Sequence, residues 1–390
     1  MDALYSLGNV GERFTPDEWV DPKQLRHRLK AAQRLVTASK SGAQCFFSQG
    51  GNVGISVGSS LVARVSNVHR CASVWSCPIC APVVRAGRAK EISEAMNENA
   101  KRGGSAVLIT ATGPHSLVDP LEGLLSAVSQ FGGAIGRGAP WQRFVQASGY
   151  IGSIRSVEIT YGDNGWHPHV HALYFFDRQL PKSLLQRLRV HSFGAWQRHL
   201  TRLGFGVLHP IHGLDVRYAT SPDELSRYMT DLSFTDFDVH GDGSSRQWSV
   251  GDEMARGHLK RSGFTPFDIL RAYAVNGDVD ALALWLEYEV ATFGKRAIVW
   301  SKGLKDRFSV EDATDEDLSE VDVDDDVLVS VVVHDQVWNH LCWSGSVGIL
   351  LRGLELWALA IVDGQAVADE PPELYDAYGR EIPFAVLERV

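Results

Sequence analysis

The sequence lacks a transmembrane segment, because no apolar run reaches the roughly 18 residues that a membrane-spanning helix needs. Its first residues, MDALYSLGNVGERF, lack the basic flank and apolar core of a secretory signal. Cysteine is scarce, and its five copies are an odd number that argues against a disulfide scaffold. These absences predict a cytoplasmic protein with reduced thiols and no membrane partner.

An excess of basic residues is also missing, since the chain has a net charge of −9. The charge is segregated, however. Residues 311–326 hold ten acidic residues and no basic one, and the rest of the chain has a net charge of +1. Residues 21–104 hold thirteen Lys or Arg and four Asp or Glu. This basic third makes nucleic acid a candidate partner, although solvated helix faces would explain the charges alone.

Three alternating histidines stand in GWHPHVHALYFF, residues 165–176. In a strand, His167, His169 and His171 would share one face. Pro168 cannot donate to a neighbouring strand, which places His167 at the strand start or at an edge. The better pair of metal ligands is therefore His169 with His171, and His167 is a third candidate.

The preceding predicted strand, residues 154–161, carries Glu158. A turn at residues 163–164 would put Glu158 opposite His169, and a turn at residues 164–165 would put it opposite His171. In either register two imidazoles and one carboxylate lie together, a donor set suited to a divalent cation with open positions. The alternative is a solvated polar face on an amphipathic hairpin.

The stretch SPDELSRYMTDL, residues 221–232, predicts a helix with Ser221 as its N-cap. Glu224 and Tyr228 lie four residues apart and share a face of this helix. A capping box explains Glu224, and partial burial explains Tyr228. A metal beside a bound phosphodiester would instead give Tyr228 the role of nucleophile.

A cysteine cluster, Cys71, Cys77 and Cys80, contains the sequence CPIC. Thiolates at this spacing predict a structural zinc site, with either Cys45 or His69 as the fourth ligand. Unliganded buried thiols are the alternative. Basic side chains around the cluster are candidates to bind DNA phosphates: Arg64, Arg70, Arg85, Arg88 and Lys90.

Taken in this order, three motifs resemble the rolling-circle replication initiator (Rep) proteins of plasmids, a group of HUH endonucleases. The motifs are VLITAT at 107–112, EITYGDNGWHPHVHAL at 158–173 and ELSRY at 224–228. The cysteine segment and WSKGL resemble members from actinobacterial plasmids with a single catalytic tyrosine. The resemblance runs from about residue 45 to residue 318.

The resemblance implies that His169, His171 and Glu158 hold Mg²⁺ or Mn²⁺. It implies that Tyr228 nicks one strand at a plasmid origin and remains on the 5′-phosphate. The freed 3′-OH would then prime synthesis with a host helicase and DNA polymerase. Glu224 would activate water at termination, when the strand is religated.

The chain departs from the family pattern at Asp231, where many relatives carry a lysine that contacts phosphate. Arg227, Lys260 and Arg261 are candidate replacements, and Arg227 is assigned to DNA binding.

We therefore expect an α+β fold, with an antiparallel HUH sheet and flanking helices between a zinc-binding module and a helical C-terminal region. The predicted units are a helical lead (1–40), a cysteine-rich zinc and DNA module (41–100), the nickase domain (101–262), a helical segment (263–310), an acidic linker (311–326) and a small C-terminal unit (327–390). The rival functions are an HUH transposase or relaxase, and a zinc-dependent DNA-binding regulator whose catalytic site has decayed.

Overall fold

The computed structural model describes residues 21–219, 264–320, 326–368 and 370–386. In this part of the chain the fold is α+β with antiparallel sheets, as predicted. The strands are β1 (Val53–Gly58), β2 (Ala63–Ser66), β3 (Ser105–Thr112), β4 (Tyr150–Gly162), β5 (Gly165–Phe176), β6 (Leu214–Tyr218), β7 (Ile298–Trp300), β8 (Val327–Val333) and β9 (Ala385–Val386).

The described helices flank two sheets. They are α1 (Pro22–Val36), α2 (Lys40–Gln44), α3 (Cys80–Lys101), α4 (Leu121–Ser129), α5 (Phe131–Ile135), α6 (Gly138–Ser148), α7 (Lys182–Arg202), α8 (Pro266–Asn276), α9 (Val279–Thr292), α10 (Leu304–Phe308), α11 (Asp315–Ser319), α12 (Asp335–Ser344) and α13 (Val347–Val362).

The larger sheet has the strand order β6-β3-β5-β4-β7, so the histidine-bearing strand β5 is central. Side chains alternate between its two faces. Val170 and Ala172 point into the main core, as predicted. On the opposite face, Leu173 and Phe175 pack with apolar side chains of α3 and α10. The histidines lie on this same second face, on the half of β5 that precedes Leu173.

The hairpin between β4 and β5 turns at residues 163–164, because Gly162 pairs with Gly165. Of the two predicted registers, the chain therefore adopts the one that places Glu158 opposite His169. His167 is the third residue of β5 and lies near its start, one of the two positions that the sequence allowed. The pairing of β3 with β5 ends at Thr112, which lies opposite His169. Pro168 is therefore tolerated, because β3 does not extend to the position where the missing N–H of the proline would break the ladder.

The smaller sheet has the order β2-β1-β8-β9. Strand β8, from the segment predicted as a separate C-terminal unit, pairs along β1 of the cysteine-rich segment. Both segments contribute to one core, in which Cys45, Cys77 and Cys80 pack with Trp338 and Leu350. The described parts of 41–100 and 327–390 thus build one structure from two distant stretches of chain.

The region predicted as helical over 263–310 is helical only in part. Strand β7 follows α8 and α9 and pairs with β4 at the edge of the larger sheet. The described part of the predicted acidic linker is also structured. Helix α11 packs on α3, where Asp315 forms an ion pair with Arg88.

No single helix in the described ranges combines the length and the apolar character needed to cross a membrane. Helices α12 and α13 meet those criteria only when they are taken together, as a pair bent by 112°.

Candidate metal centres and active site

The three predicted histidines line up along the polar half of the larger sheet. The His167 and His169 ring centroids are 4.0 Å apart, and those of His169 and His171 are 6.2 Å apart. His171 is buried with 1% exposure, whereas His167 and His169 are half-buried. The alternation of β5 thus places a row of imidazoles beside the strand that carries Glu158.

Both ring nitrogens of His171 are engaged. Its Nε2 lies 3.0 Å from Glu158 Oε2, and its Nδ1 lies 3.2 Å from Thr110 Oγ1. Although Glu158 is opposite His169 in the ladder, its side chain reaches diagonally to His171. An ionised Glu158 accepts the Nε2 proton, so the Thr110 hydroxyl donates to Nδ1.

Two of the three predicted metal ligands lie close together. Two ligands bound 2.1 Å from a metal in adjacent octahedral positions lie about 3.0 Å apart, which matches the separation of His171 Nε2 and Glu158 Oε2. His169 Nδ1 is buried without a hydrogen-bond partner in the described chain. The donors of Glu158, His169 and His171 do not all lie within 4.8 Å of one another, so a third ligand would need a side-chain rotation.

Burial keeps the free imidazoles neutral. Burial and, to a smaller extent, the neighbouring His169 and His115 together lower the pKa of His167 to about 3. Burial lowers the pKa of His169 to about 4, against the opposing effect of Glu158. Burial raises the pKa of Glu158, but the hydrogen bond and charge of His171 and the charge of His169 together outweigh burial, so the pKa lies below its usual value. Near neutral pH the site offers imidazole lone pairs and a carboxylate, the forms that bind metal.

One residue of this row, His115, was missed in the sequence analysis. Its ring stacks on His167, with centroids 4.2 Å apart and an interplanar angle of 24°. His115 Nδ1 lies 3.1 Å from Gly113 O in the loop that follows β3. Its place in the sequence could have indicated this contact. His115 follows the motif VLITAT by three residues, and that motif forms β3, which pairs with the histidine strand β5.

The cysteine prediction resolves to four thiols. The sulfurs of Cys45, Cys71, Cys77 and Cys80 all lie within 4.8 Å of one another, so Cys45 joins the group and His69 does not. The Cys45–Cys80, Cys45–Cys77 and Cys71–Cys80 separations are 3.5, 3.6 and 3.9 Å. A tetrahedral zinc with Zn–S bonds of 2.3 Å needs about 3.8 Å between sulfurs. Four cysteines at these distances could hold a metal ion such as zinc.

Local backbone structure aims these sulfurs at a common point. Cys80 opens helix α3, and its N–H donates to Cys77 Sγ at 3.4 Å. Phe46 and Ala72, which directly follow Cys45 and Cys71, have positive φ angles of 73° and 49°. Such angles are strained for residues with a Cβ, so the surrounding structure holds both turns in place.

Charge compensation is visible at this cluster. Burial raises the pKa of Cys77, but hydrogen bonds from the other three thiols and the charge of Lys30 outweigh it, and the pKa falls well below its usual value. Conversely, burial lowers the pKa of Lys30, and the cysteine sulfurs reverse that effect and raise it.

The basic residues predicted to contact DNA differ in their availability. Arg85 is buried and donates to Val74 O at 2.6 Å, and Arg88 is held by Asp315 and Glu91. Both guanidinium groups are thus used inside the protein. Arg64 and Arg70 are half-buried, and Arg70 lies over the Phe46 ring at 4.8 Å. The Lys90 side chain is 79% exposed and is the most accessible of the described set.

The predicted nucleophile Tyr228 lies outside the described residues. The same holds for Glu224, Arg227 and Asp231, and for the basic pair at 260–261. Of the predicted active site, the structure therefore describes the part formed by Glu158 and the histidines.

The chain is 28% identical to Protein rep of Streptomyces lividans over an alignment of 387 residues, which covers 84% of this chain and 79% of that protein. It is 32% identical to a Neomycin resistance protein of Streptomyces cyanogenus over 129 residues, which cover 27% of this chain and 30% of that protein. No protein-family model and no solved structure gave a match. The chain is thus similar to a Rep protein over most of its length.

Proposed function

We propose that this protein is a plasmid replication initiator that nicks one DNA strand at the origin and starts rolling-circle replication. The observation that carries the proposal is the group of Glu158, His169 and His171 on the polar half of the larger sheet. The similarity to Protein rep over 84% of the chain supports the same conclusion. The protein would act on plasmid origin DNA in the cytoplasm, as single strands or extruded hairpins.

In this proposal Glu158, His169 and His171 hold Mg²⁺ or Mn²⁺, with His167 beside them. The metal would polarise the scissile phosphate and neutralise charge that develops on its oxygens. The protein's own contribution is to keep the imidazoles neutral by burial and to orient His171. Thr110 would perform that orientation through Nδ1, which leaves Nε2 of His171 to the metal.

Tyr228 would supply the nucleophile. Its Oη forms a bond to phosphorus while the bond from phosphorus to the 3′ oxygen breaks, and the departing oxygen takes up a proton to become the 3′-OH. The 5′-phosphate stays on the tyrosine, which conserves the phosphodiester for rejoining. Host helicase and DNA polymerase would extend the 3′ end. At termination Glu224 would take a proton from a water that attacks the phosphate of the regenerated origin, and the 3′ oxygen would leave and become a new 3′-OH. That 3′-OH would then attack the phosphotyrosine and rejoin the strand, and the Tyr228 oxygen would leave and take up the proton.

The four cysteines would hold structural zinc next to the basic N-terminal surface. Lys90 is the described residue that we assign to phosphate contact, since its side chain is exposed. Arg64 and Arg70 are secondary candidates, and Arg227 belongs to the proposed catalytic segment.

The test is a trapping assay with single-stranded DNA from a candidate origin, Mn²⁺ and a denaturing gel. We expect a protein–DNA adduct that disappears with EDTA and in Tyr228→Phe. Tyr218→Phe is the matched control, because the Tyr218 hydroxyl donates a hydrogen bond to Leu180 O and has no role in the proposed reaction. That variant should still form the adduct.

A folded protein that yields no adduct on several candidate origins would exclude the nickase and favour a DNA-binding regulator. A second measurement separates replication from transposition or conjugative transfer. Cells that carry the plasmid should accumulate circular single-stranded plasmid DNA with the wild-type protein and none with Tyr228→Phe.

A further inference from the structure

Two buried cations lie on one face of helix α1 beside the cysteine cluster. Lys30 is 1% exposed and Arg34 is 5% exposed, and they are one helical turn apart. Lys30 Nζ donates to Gln33 Oε1 and to Gly42 O, both at 2.6 Å. Arg34 donates to the carbonyl oxygens of Ala43, Cys45 and Cys342 at 2.6–2.9 Å. All five acceptors are neutral.

Neutral acceptors satisfy the N–H groups but do not balance the charge. A buried cation without a nearby anion is costly because it loses its hydration. The described chain gives neither Lys30 nor Arg34 a carboxylate partner. Cys45 and Cys77 of the cysteine group act electrostatically on both residues, and Cys342, which lies outside the group, acts on Arg34 more strongly than either.

Four thiolates around a divalent cation carry a net charge of −2, and Lys30 and Arg34 together carry +2. We propose that Lys30 and Arg34 are the built-in counter-charges of a tetrathiolate site for a thiophilic divalent cation. This inference rests on the metal role proposed for the four cysteines and is independent of the nicking reaction.

Lys30 and Arg34 also hold the backbone at Cys45, one of the proposed metal-binding cysteines. Arg34 Nη2 donates to the carbonyl of Cys45 itself at 2.8 Å. Lys30 binds Gly42 O in helix α2, which ends at the residue before Cys45. The counter-charges therefore also fix the cysteine that is farthest in sequence from the other three.

The first test is zinc affinity, measured by competition with a chromophoric chelator on the full-length protein. Removal of a group that supports metal ligands typically weakens binding by about 10- to 100-fold, and we expect Lys30→Met to fall in this range. The matched control is Lys23→Met, on the same helix, because Lys23 pairs with Glu355. Its affinity should stay within about twofold of wild type, well below the loss expected for a supporting residue.

The second test separates a counter-charge from a merely structural lysine. We expect Lys30→Met to lower the unfolding midpoint of the zinc-loaded protein and to leave unchanged, or raise, that of the chelator-treated protein. A lysine that only bridges Gln33 and Gly42 would lower both midpoints equally. Lys30→Gln, which keeps an amide donor, serves if Lys30→Met does not fold.

Equal destabilisation in both forms, unchanged zinc affinity in Lys30→Met, or a wild-type protein that takes up no zinc would each overturn the inference. If the wild-type protein formed no DNA adduct, but the zinc affinities and unfolding midpoints of wild type and Lys30→Met came out as expected, the result would count against the proposed function alone.

Discussion

The buried histidine His27 should contribute a measurable share of the acid sensitivity of the fold. It lies on α1 with 6% exposure and packs on the Phe46 ring at a centroid distance of 5.2 Å. Burial and, to a smaller extent, the surrounding cations together lower its pKa to about 3; the cations are Arg26, Arg34, Arg70 and Lys23. The folded protein thus holds this ring neutral at pH values where an exposed imidazole becomes charged.

The sign of the effect follows from linkage. The unfolded chain protonates His27 near pH 6.5, whereas the folded chain resists protonation until about pH 3. The unfolded state therefore binds more protons between these values, and stability is lost as the pH falls through that window. From pH 7 to pH 5 this amounts to about 2 kcal/mol for a single histidine with this shift.

The assay is urea unfolding followed by tryptophan fluorescence at pH 7 and pH 5. We expect wild type to lose about 2 kcal/mol more than His27→Leu between the two pH values. Leu29→Ala, on the same helix, is the control, because it destabilises the core but keeps His27. It should retain the wild-type pH dependence. A His27→Leu variant that loses as much stability as wild type would refute the assigned pKa shift.

Two further predictions concern the proposed chemistry. Glu158→Gln keeps an acceptor for His171 but removes the carboxylate charge. We therefore expect adduct formation, measured by gel under single-turnover conditions, to slow by about 100-fold or more. An unchanged rate would show that Glu158 is not a metal ligand. Lys90→Ala should weaken DNA binding at low salt and reduce the slope of log affinity against log salt by about 1. Arg88→Ala should leave that slope unchanged, because its guanidinium is held by Asp315 and Glu91; a reversed pattern would relocate the DNA surface.

The strand that carries the histidines could be predicted because its pattern is local. Alternation along residues 165–176 places His169 and His171 on one face and Val170 on the other. The register could not be predicted, because the two candidate turns differ by two residues in pairing and keep every side chain on the same face. In the register that the chain adopts, Gly165 has a φ of 87°, and a Cβ there would lie 2.9 Å from Ser116 O, so this position requires glycine.

Neither the place of Cys45 in the cluster nor the pairing of the smaller sheet could be predicted from local patterns, because both depend on contacts between distant parts of the sequence. Cys45 is 26 residues before Cys71, and its position depends on the Arg34 contact to its carbonyl. The pairing of β1 with β8 joins residues 269 to 280 positions apart. Sequence periodicity predicts the faces of such strands but carries no information about their partners.

The cysteine cluster and the histidine site share a support that neither motif reveals. Trp75, in the loop between Cys71 and Cys77, donates its Nε1 proton to Lys295 O at 2.7 Å. Two residues later Ala297 O accepts a hydrogen bond from the N–H of Val157, the neighbour of Glu158. The short segment 295–297 thus contacts the cysteine loop on one side and the strand that carries Glu158 on the other. Through this segment the two candidate sites are part of one hydrogen-bonded framework, although no motif in the sequence links them.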